Sequence, residues 1–383
     1  MAFVASHGNW TVVCAFSSAY VLTRKNAALS PFKCIDLSAD EANEKANEKA
    51  NDAEKKKTTP VVKDIQALCC RFSRDGSLFA VATNRKKCLI FDGSTWTQLF
   101  SLDLPKAPTA VDFAIAHEKR LVVADRAGNV IHFPLKADVE PRSDAEDDEG
   151  TAIKHGGAMI LGHLSMVLDV KLTADERFLL TTDRDEKVRV SNYPQAFVIH
   201  SFCLGHTQFV RSIVTWGDLI ASAGGDGSIK FWTLDGQCIS TIAADSDQPK
   251  AILKIDLAVH ENVVRLAVAL ENSPTVRLLH LTRSGAEVAV QTSHSFEAND
   301  QVWDLGFADD ALIVLTSNSN APLMVLQRNS DVLEVCDVGA DIGQSITHAK
   351  TELPPLKKVT SFNNVEAYQQ RKTDRVMRKR KIN

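Results

Sequence analysis

No apolar run in this chain is long enough to cross a membrane. Its valine, isoleucine, leucine and phenylalanine come in stretches rarely longer than seven residues, against the roughly 18 that a spanning helix needs. The N-terminal MAFVASHGNWTVVCAF lacks the basic region and small-residue cleavage site of a secretory signal, which predicts a soluble intracellular protein. The eight cysteines are scattered singly apart from Cys69 and Cys70, with no CxxC and no cysteine–histidine cluster at zinc spacing. That argues against a structural metal or a disulfide framework and for buried, reduced thiols. Glycine and proline are not enriched. There is no GxGxxG between strand and helix, no Walker loop and no paired-histidine motif. The alternation of strands with helices that a cofactor-binding α/β fold requires is also missing. No residue is therefore assigned a catalytic role, and no cofactor is expected on this chain.

What is present is repetition. In 383 residues, 44% of them hydrophobic, there is ample material for a large core. GHLSMVLDV (162–170) superposes on GHTQFVRSI (205–213), with His163 and His206 43 residues apart. Downstream, FLLTTDRDEKVRVS aligns with LIASAGGDGSIKFW, so that Thr181 falls on Ser222, Asp185 on Asp226 and Ser191 on Trp232. A period of about 40–45 residues with Gly-His near its start and Trp near its end is that of β-propeller blades. Weaker copies at 68–92, 109–133, 252–281 and 302–326, with short strand-like runs in the first 36 residues, bring the count to seven. The expected fold is all-β: a seven-bladed WD-repeat propeller over 1–350, its last blade closed by strands from both chain ends. Flexible inserts are expected at 37–60 and 137–157, and a basic, partly helical tail at 351–383. Trp303, in V-W-D at 302–304, matches V-L-D at 167–169 and reads as core.

His206, Ser222, Asp226 and Trp232 stand where a hydrogen-bonded tetrad ties the strands of a blade together. Three of them could be drawn as a catalytic triad, but the repeat accounts for all four, and nothing around Ser222 resembles a nucleophile elbow. AGGDG (223–227) reads as a hairpin turn whose Asp-Gly supplies positive φ. The preceding repeat keeps His163, Thr181 and Asp185 but has Ser191 in place of Trp, and its turn is crowded with Asp183, Arg184, Glu186, Lys187 and Arg189. The fold does not need these charges, as the Gly-rich companion turn shows. Mixed charge of this kind suits docking against a charged surface.

Equivalent turns of consecutive blades emerge on one face. Arg85, Lys86, Lys87, Arg126, Arg184 and Lys187 would then form a basic arc suited to phosphates. The tail ends in Arg378, Lys379, Arg380 and Lys381, a cluster fitting RNA contact or nuclear import. It predicts the nucleus, with the cytoplasm as a second compartment.

LGHLSMVLDV, FLLTTDRDEKVRVS and SFCLGHTQFV together resemble the WD-repeat, non-catalytic subunit of the eukaryotic tRNA (guanine-N-7)-methyltransferase, and LVVADRAGNV, QVWDLGF and FNNVEAY also fit. The resemblance implies a propeller clamped to a Rossmann-like catalytic subunit. That partner binds S-adenosylmethionine and methylates a guanosine in the tRNA variable loop, while the propeller stabilises it and helps hold the tRNA. The resemblance further implies that the charged turn meets the partner, Arg189 pairing with an acidic residue there and Asp183, Arg184, Asp185, Glu186 and Lys187 lying beside it. Two other classes stay open. One is a scaffold such as a cullin ubiquitin-ligase substrate receptor, although the W-D-x-R ending common in those is replaced by W-T-L-D at Trp232–Asp235. The other is an RNA-binding propeller with no enzyme partner.

Overall fold

In the computed structural model the described residues are 2–25, 28–38, 65–116, 118–136, 153–244, 250–285, 287–328, 332–336, 340–348 and 356. The period-2 alternation of the sequence becomes seven four-stranded antiparallel sheets, each made of four consecutive strands. Blade one is β1 (Phe3–His7), β2 (Trp10–Ala15), β3 (Ser18–Lys25) and β4 (Ala28–Asp36); blade seven is β25 (Val302–Ala308), β26 (Ala311–Thr316), β27 (Leu323–Leu326) and β28 (Glu334–Val335). In every blade the first strand is innermost. The second strands are the most completely buried, as in β6 (Leu78–Thr83) and β18 (Leu219–Gly224), because neighbouring blades cover both of their faces. Trp303 is core, packed with Val4, Leu22 and Ile313.

The ring closes differently from the sequence expectation. The chain ends exchange no strand among the described residues, since blades one and seven each own four strands. Closure is by side chains. The Asp304 carboxylate accepts the Val4 N–H at 2.9 Å, and Arg24 donates to the Ala308 carbonyl and to Asp309. A helix, α1 (Ala340–His348), lays Ile342 and Ile346 on the core shared by blades one and seven. Tyr20 hydrogen-bonds its Ser345 hydroxyl at 2.5 Å.

The Asp304 clasp is one of a set. Asp112 accepts Leu172 N–H at 2.7 Å, Asp169 accepts Ile213 N–H at 3.0 Å, and Asp256 accepts Phe307 N–H at 2.7 Å. In blade five Ser212 does the same for Ile255. The inner strands of blades three to seven thus each satisfy a backbone donor of the next blade, which would otherwise be buried without a partner. The aspartates of V-L-D and V-W-D are these clasps.

Other expectations need adjustment. The insert expected over 137–157 ends earlier, because Ile153 is buried among Phe133 and Leu135 and Lys154 bonds Asp103. Residues 39–60 of the other insert lie outside the described residues, as does all of the tail except Leu356. α1, upstream of the expected tail helix, was not anticipated. All eight cysteines are free, but only Cys14, Cys88 and Cys203 are fully buried, while Cys34 and Cys238 are exposed. Burial pushes the Cys203 thiol up to about 12.

Candidate functional site

The hairpin turns between second and third strands share one face of the propeller. In blade five, His206 lies between Asp226 (2.8 Å) and Ser222 (2.8 Å), and the Trp232 indole N–H donates to the same Ser222 oxygen at 2.8 Å. Burial raises the Asp226 pKa, but the bond and charge of His206 and the bonds from Ser228 outweigh it and hold the carboxyl well below its usual range. The site is a buried strand tie with no open face for a substrate.

Blade four is built from β13 (Val167–Leu172), β14 (Phe178–Asp183), β15 (Lys187–Asn192) and β16 (Ile199–Leu204). His163 bonds Thr181 at 2.8 Å as expected, but the carboxylate at its other nitrogen is Asp183, at 3.1 Å, in place of Asp185. The second oxygen of Asp183 accepts the N–H groups of Asp185 and Lys187, as Asp125 does for Ala127 and Asn129 in blade three. Superposing the repeats aligns backbone positions, and an imidazole can be met from either end of the same turn. Asp183 is therefore a structural residue, 2% exposed. Burial pushes its pKa up, yet the His163 and Lys187 bonds bring it below normal. The tetrad makes no demand on Asp185.

Arg189 is also deeper than a docking residue at a turn would be. It is 7% exposed and donates to Ser191 Oγ (2.9 Å), the Gly162 carbonyl (3.2 Å) and the Ala196 carbonyl (2.8 Å). Burial pushes its pKa down. In blade five the Trp232 ring lies 3.3 Å from where a Cβ on Gly205 would stand, and Gly205 is the counterpart of Gly162. The guanidinium thus occupies the space that an indole fills in blade five, which explains how blade four tolerates Ser191.

The turn itself carries strain. Its fourth residue has positive φ in blades two to five: Lys86 (+59°), Gly128 (+100°), Glu186 (+74°) and Gly227 (+70°). Blades three and five use glycine there, the residue suited to this conformation. Blade four places a glutamate in it.

The basic arc is thinner than expected. Lys87 pairs with Asp103 at 3.5 Å and Lys86 bonds the Pro105 carbonyl, both turned back onto their own blade. Lys187 Nζ reaches the Asp185 carbonyl at 3.3 Å. Arg126 is exposed and lines the mouth of the central channel, a cavity of about 300 Å³. Arg85 lies in the blade-two turn. Arg378, Lys379, Arg380 and Lys381 are outside the described residues.

One surface was missed in the sequence. Along the outer edge of blade four, Phe197 (70% exposed), Val198, Ile199, Phe202 and Leu204 (62%) all face solvent, and Leu164 stands fully exposed in the loop leading into the blade. β16 is an edge strand, registered with Arg189 opposite Phe202 and Lys187 opposite Leu204. An apolar edge strand beside a mixed-charge turn has the anatomy of an interface: an apolar centre and a polar rim.

Comparison with known proteins follows the same lines. Residues 136–331 match the family described as the tRNA methyltransferase TRM82 WD40 domain. A tRNA (guanine-N(7)-)-methyltransferase non-catalytic subunit of Caenorhabditis elegans is 30% identical over 80% of this chain and 76% of its own length. This chain belongs to that WD-repeat family. The Homo sapiens member, tRNA (guanine-N(7)-)-methyltransferase non-catalytic subunit WDR4, is 33% identical over 69% of the chain, and the match spans 63% of the human protein. Among solved structures, a chain of the mitotic checkpoint complex superposes with a TM-score of 0.61 at 16% identity, covering 85% of this chain and 88% of that one. The RRP9 WD40 repeats give 0.57 at 15% identity, covering 80% and 84%. At such identities these two likenesses speak for the fold alone.

Proposed function

We propose that this chain is the non-catalytic subunit of a heterodimeric tRNA (guanine-N(7)-)-methyltransferase. In this reading it stabilises a catalytic subunit that binds S-adenosylmethionine, and helps position tRNA for 7-methylguanosine formation in the variable loop. Beyond family membership, the observation that carries the reading is blade four: an exposed apolar edge strand running beside a charged turn that departs from the cheaper glycine solution of its neighbour. A rigid partner of this kind raises activity by preorganisation, holding the catalytic subunit's groups in place without adding any. The basic tail and Arg126 would contribute phosphate contacts, and the tail suits a nuclear protein.

Because Arg189 is buried, exposed residues test this reading better. The chain and its Leu204→Asp and Phe202→Asp variants would be used to capture the methyltransferase subunit, with 7-methylguanosine formation in added tRNA as the readout. Capture and methylation by the wild type, lost with either variant while circular dichroism is unchanged, is the expected outcome. Wild-type capture of a ubiquitin-ligase adaptor and no methyltransferase would transfer the chain to the scaffold class.

A further inference from the structure

The face that carries the blade-four turn also holds a residue from far along the chain. Leu356 is buried at the mouth of the central channel, clustered with Phe209 and Ala251 and flanked by Met166 and Leu168. These contacts come from blades four, five and six, whereas α1, only eight residues upstream, is fixed on blades one and seven. Leu356 is therefore seated on different blades from α1. At that seat the Leu356 carbonyl accepts the Nε–H of Arg184 at 3.1 Å. The Arg184 backbone N–H is held by Met166, a neighbour of the same leucine.

We infer that Leu356 is a positioning residue for the docking turn: its seat fixes the Arg184 side chain for the partner. This rests on the blade-four docking reading. The chemistry is direct. A guanidinium offers five N–H donors in a planar fork. Spending Nε on the Leu356 carbonyl orients the plane and leaves the two terminal nitrogens to engage a carboxylate in the bidentate manner. A long side chain that is already ordered loses less freedom on binding, so the fixed Arg184 should bind an acidic partner surface more tightly than a loose one.

Two measurements on the full chain test this. In the free chain, hydrogen exchange across residues 179–189 should speed up in Leu356→Asp and return to the wild-type rate in Leu356→Met, which refills the seat. Unchanged exchange in Leu356→Asp overturns the inference whatever the partner does. In titrations of the catalytic methyltransferase subunit, Leu356→Asp should weaken binding by about threefold to tenfold, the effect of immobilising one such side chain. In the Arg184→Ala background, Leu356→Asp should cause little further loss, because the seat then has no guanidinium to position. Losses that multiply would mean that the two residues act independently, and the inference fails. If the wild type does not bind the methyltransferase at all, the functional reading falls, while the exchange result still decides whether the seat holds the turn.

Discussion

Replacing Glu186 with glycine should stabilise the isolated protein. Glu186 sits at φ +74°, where the Cβ of an L-residue crowds the following carbonyl at roughly 1–2 kcal/mol. Glycine removes that penalty but gives the unfolded chain more freedom, which takes back about 0.4–1 kcal/mol. The half-exposed carboxylate's own contacts are worth at most a few tenths of a kcal/mol in a solvated turn. The net expectation is a gain of roughly 0.5 kcal/mol, visible as a higher urea midpoint at unchanged slope. The converse change, Gly227→Ala in blade five at φ +70°, should destabilise by about 1 kcal/mol. Glu186→Gly should at the same time weaken capture of the methyltransferase, because a side chain kept at the expense of stability is expected to act in binding. A glycine variant no more stable than wild type would refute the strain reasoning. One that is more stable and binds equally well would remove Glu186 from the docking surface.

Asp304→Ala should leave the Val4 N–H buried without an acceptor at the seam between blades one and seven, at about 1–3 kcal/mol; hydrogen exchange confined to β1 and β25 would locate the loss, and unaltered stability would show that the seam is held by packing alone. Asp226, whose pKa is depressed in the folded state, should contribute stability that is complete above its unfolded value of about 3.9 and lost as pH falls toward the folded one. Asp226→Asn should therefore start less stable at pH 7 and lose less between pH 5 and 2; parallel melting-temperature curves would contradict that sign. Leu204→Asp should leave the melt unchanged and abolish capture of the methyltransferase; a variant that still binds would move the interface off the apolar edge.

Seven blades were legible because the blade signal is local: Gly-His, the period-2 strands and the turn recur at a fixed spacing. What escaped depends on three-dimensional placement. IHSFCL in β16 mixes apolar and polar residues as the other strands do, and only its position as the outermost strand of blade four leaves Phe202 and Leu204 facing outward. Asp183 and Asp185 bracket one turn, and nothing in one dimension tells which carboxylate reaches His163. The V-L-D and V-W-D aspartates looked ordinary because their partners, Ile213 and Val4, belong to other blades. α1 offers little more than Ile342 and Ile346 as an apolar face, too weak a pattern to stand apart from a loop until the ring supplies the surface it covers.

Arg189 poses the sharpest separation of fold from function. Its three inward bonds mean that Arg189→Leu removes a blade-internal strut as well as any partner contact, so loss of methylation in that variant would not distinguish the two. Blade five supplies the remedy. There Lys230 and Trp232 occupy the positions of Arg189 and Ser191, with the lysine reaching Thr241 and the indole bonded to Ser222. The double change Arg189→Lys, Ser191→Trp copies that arrangement into blade four. The indole would take the space beside Gly162 and donate to Thr181, while the lysine keeps a positive charge further out. Arg189→Leu alone should cost about 1–3 kcal/mol by stranding the Gly162 and Ala196 carbonyls, and the double variant should recover most of it. If the rebuilt blade is stable and no longer captures the methyltransferase, the planar guanidinium is needed for docking in its own right, since lysine keeps the charge but not the fork. If it is stable and binds normally, Arg189 is a strut, and recognition belongs to the apolar edge and the charged turn around it.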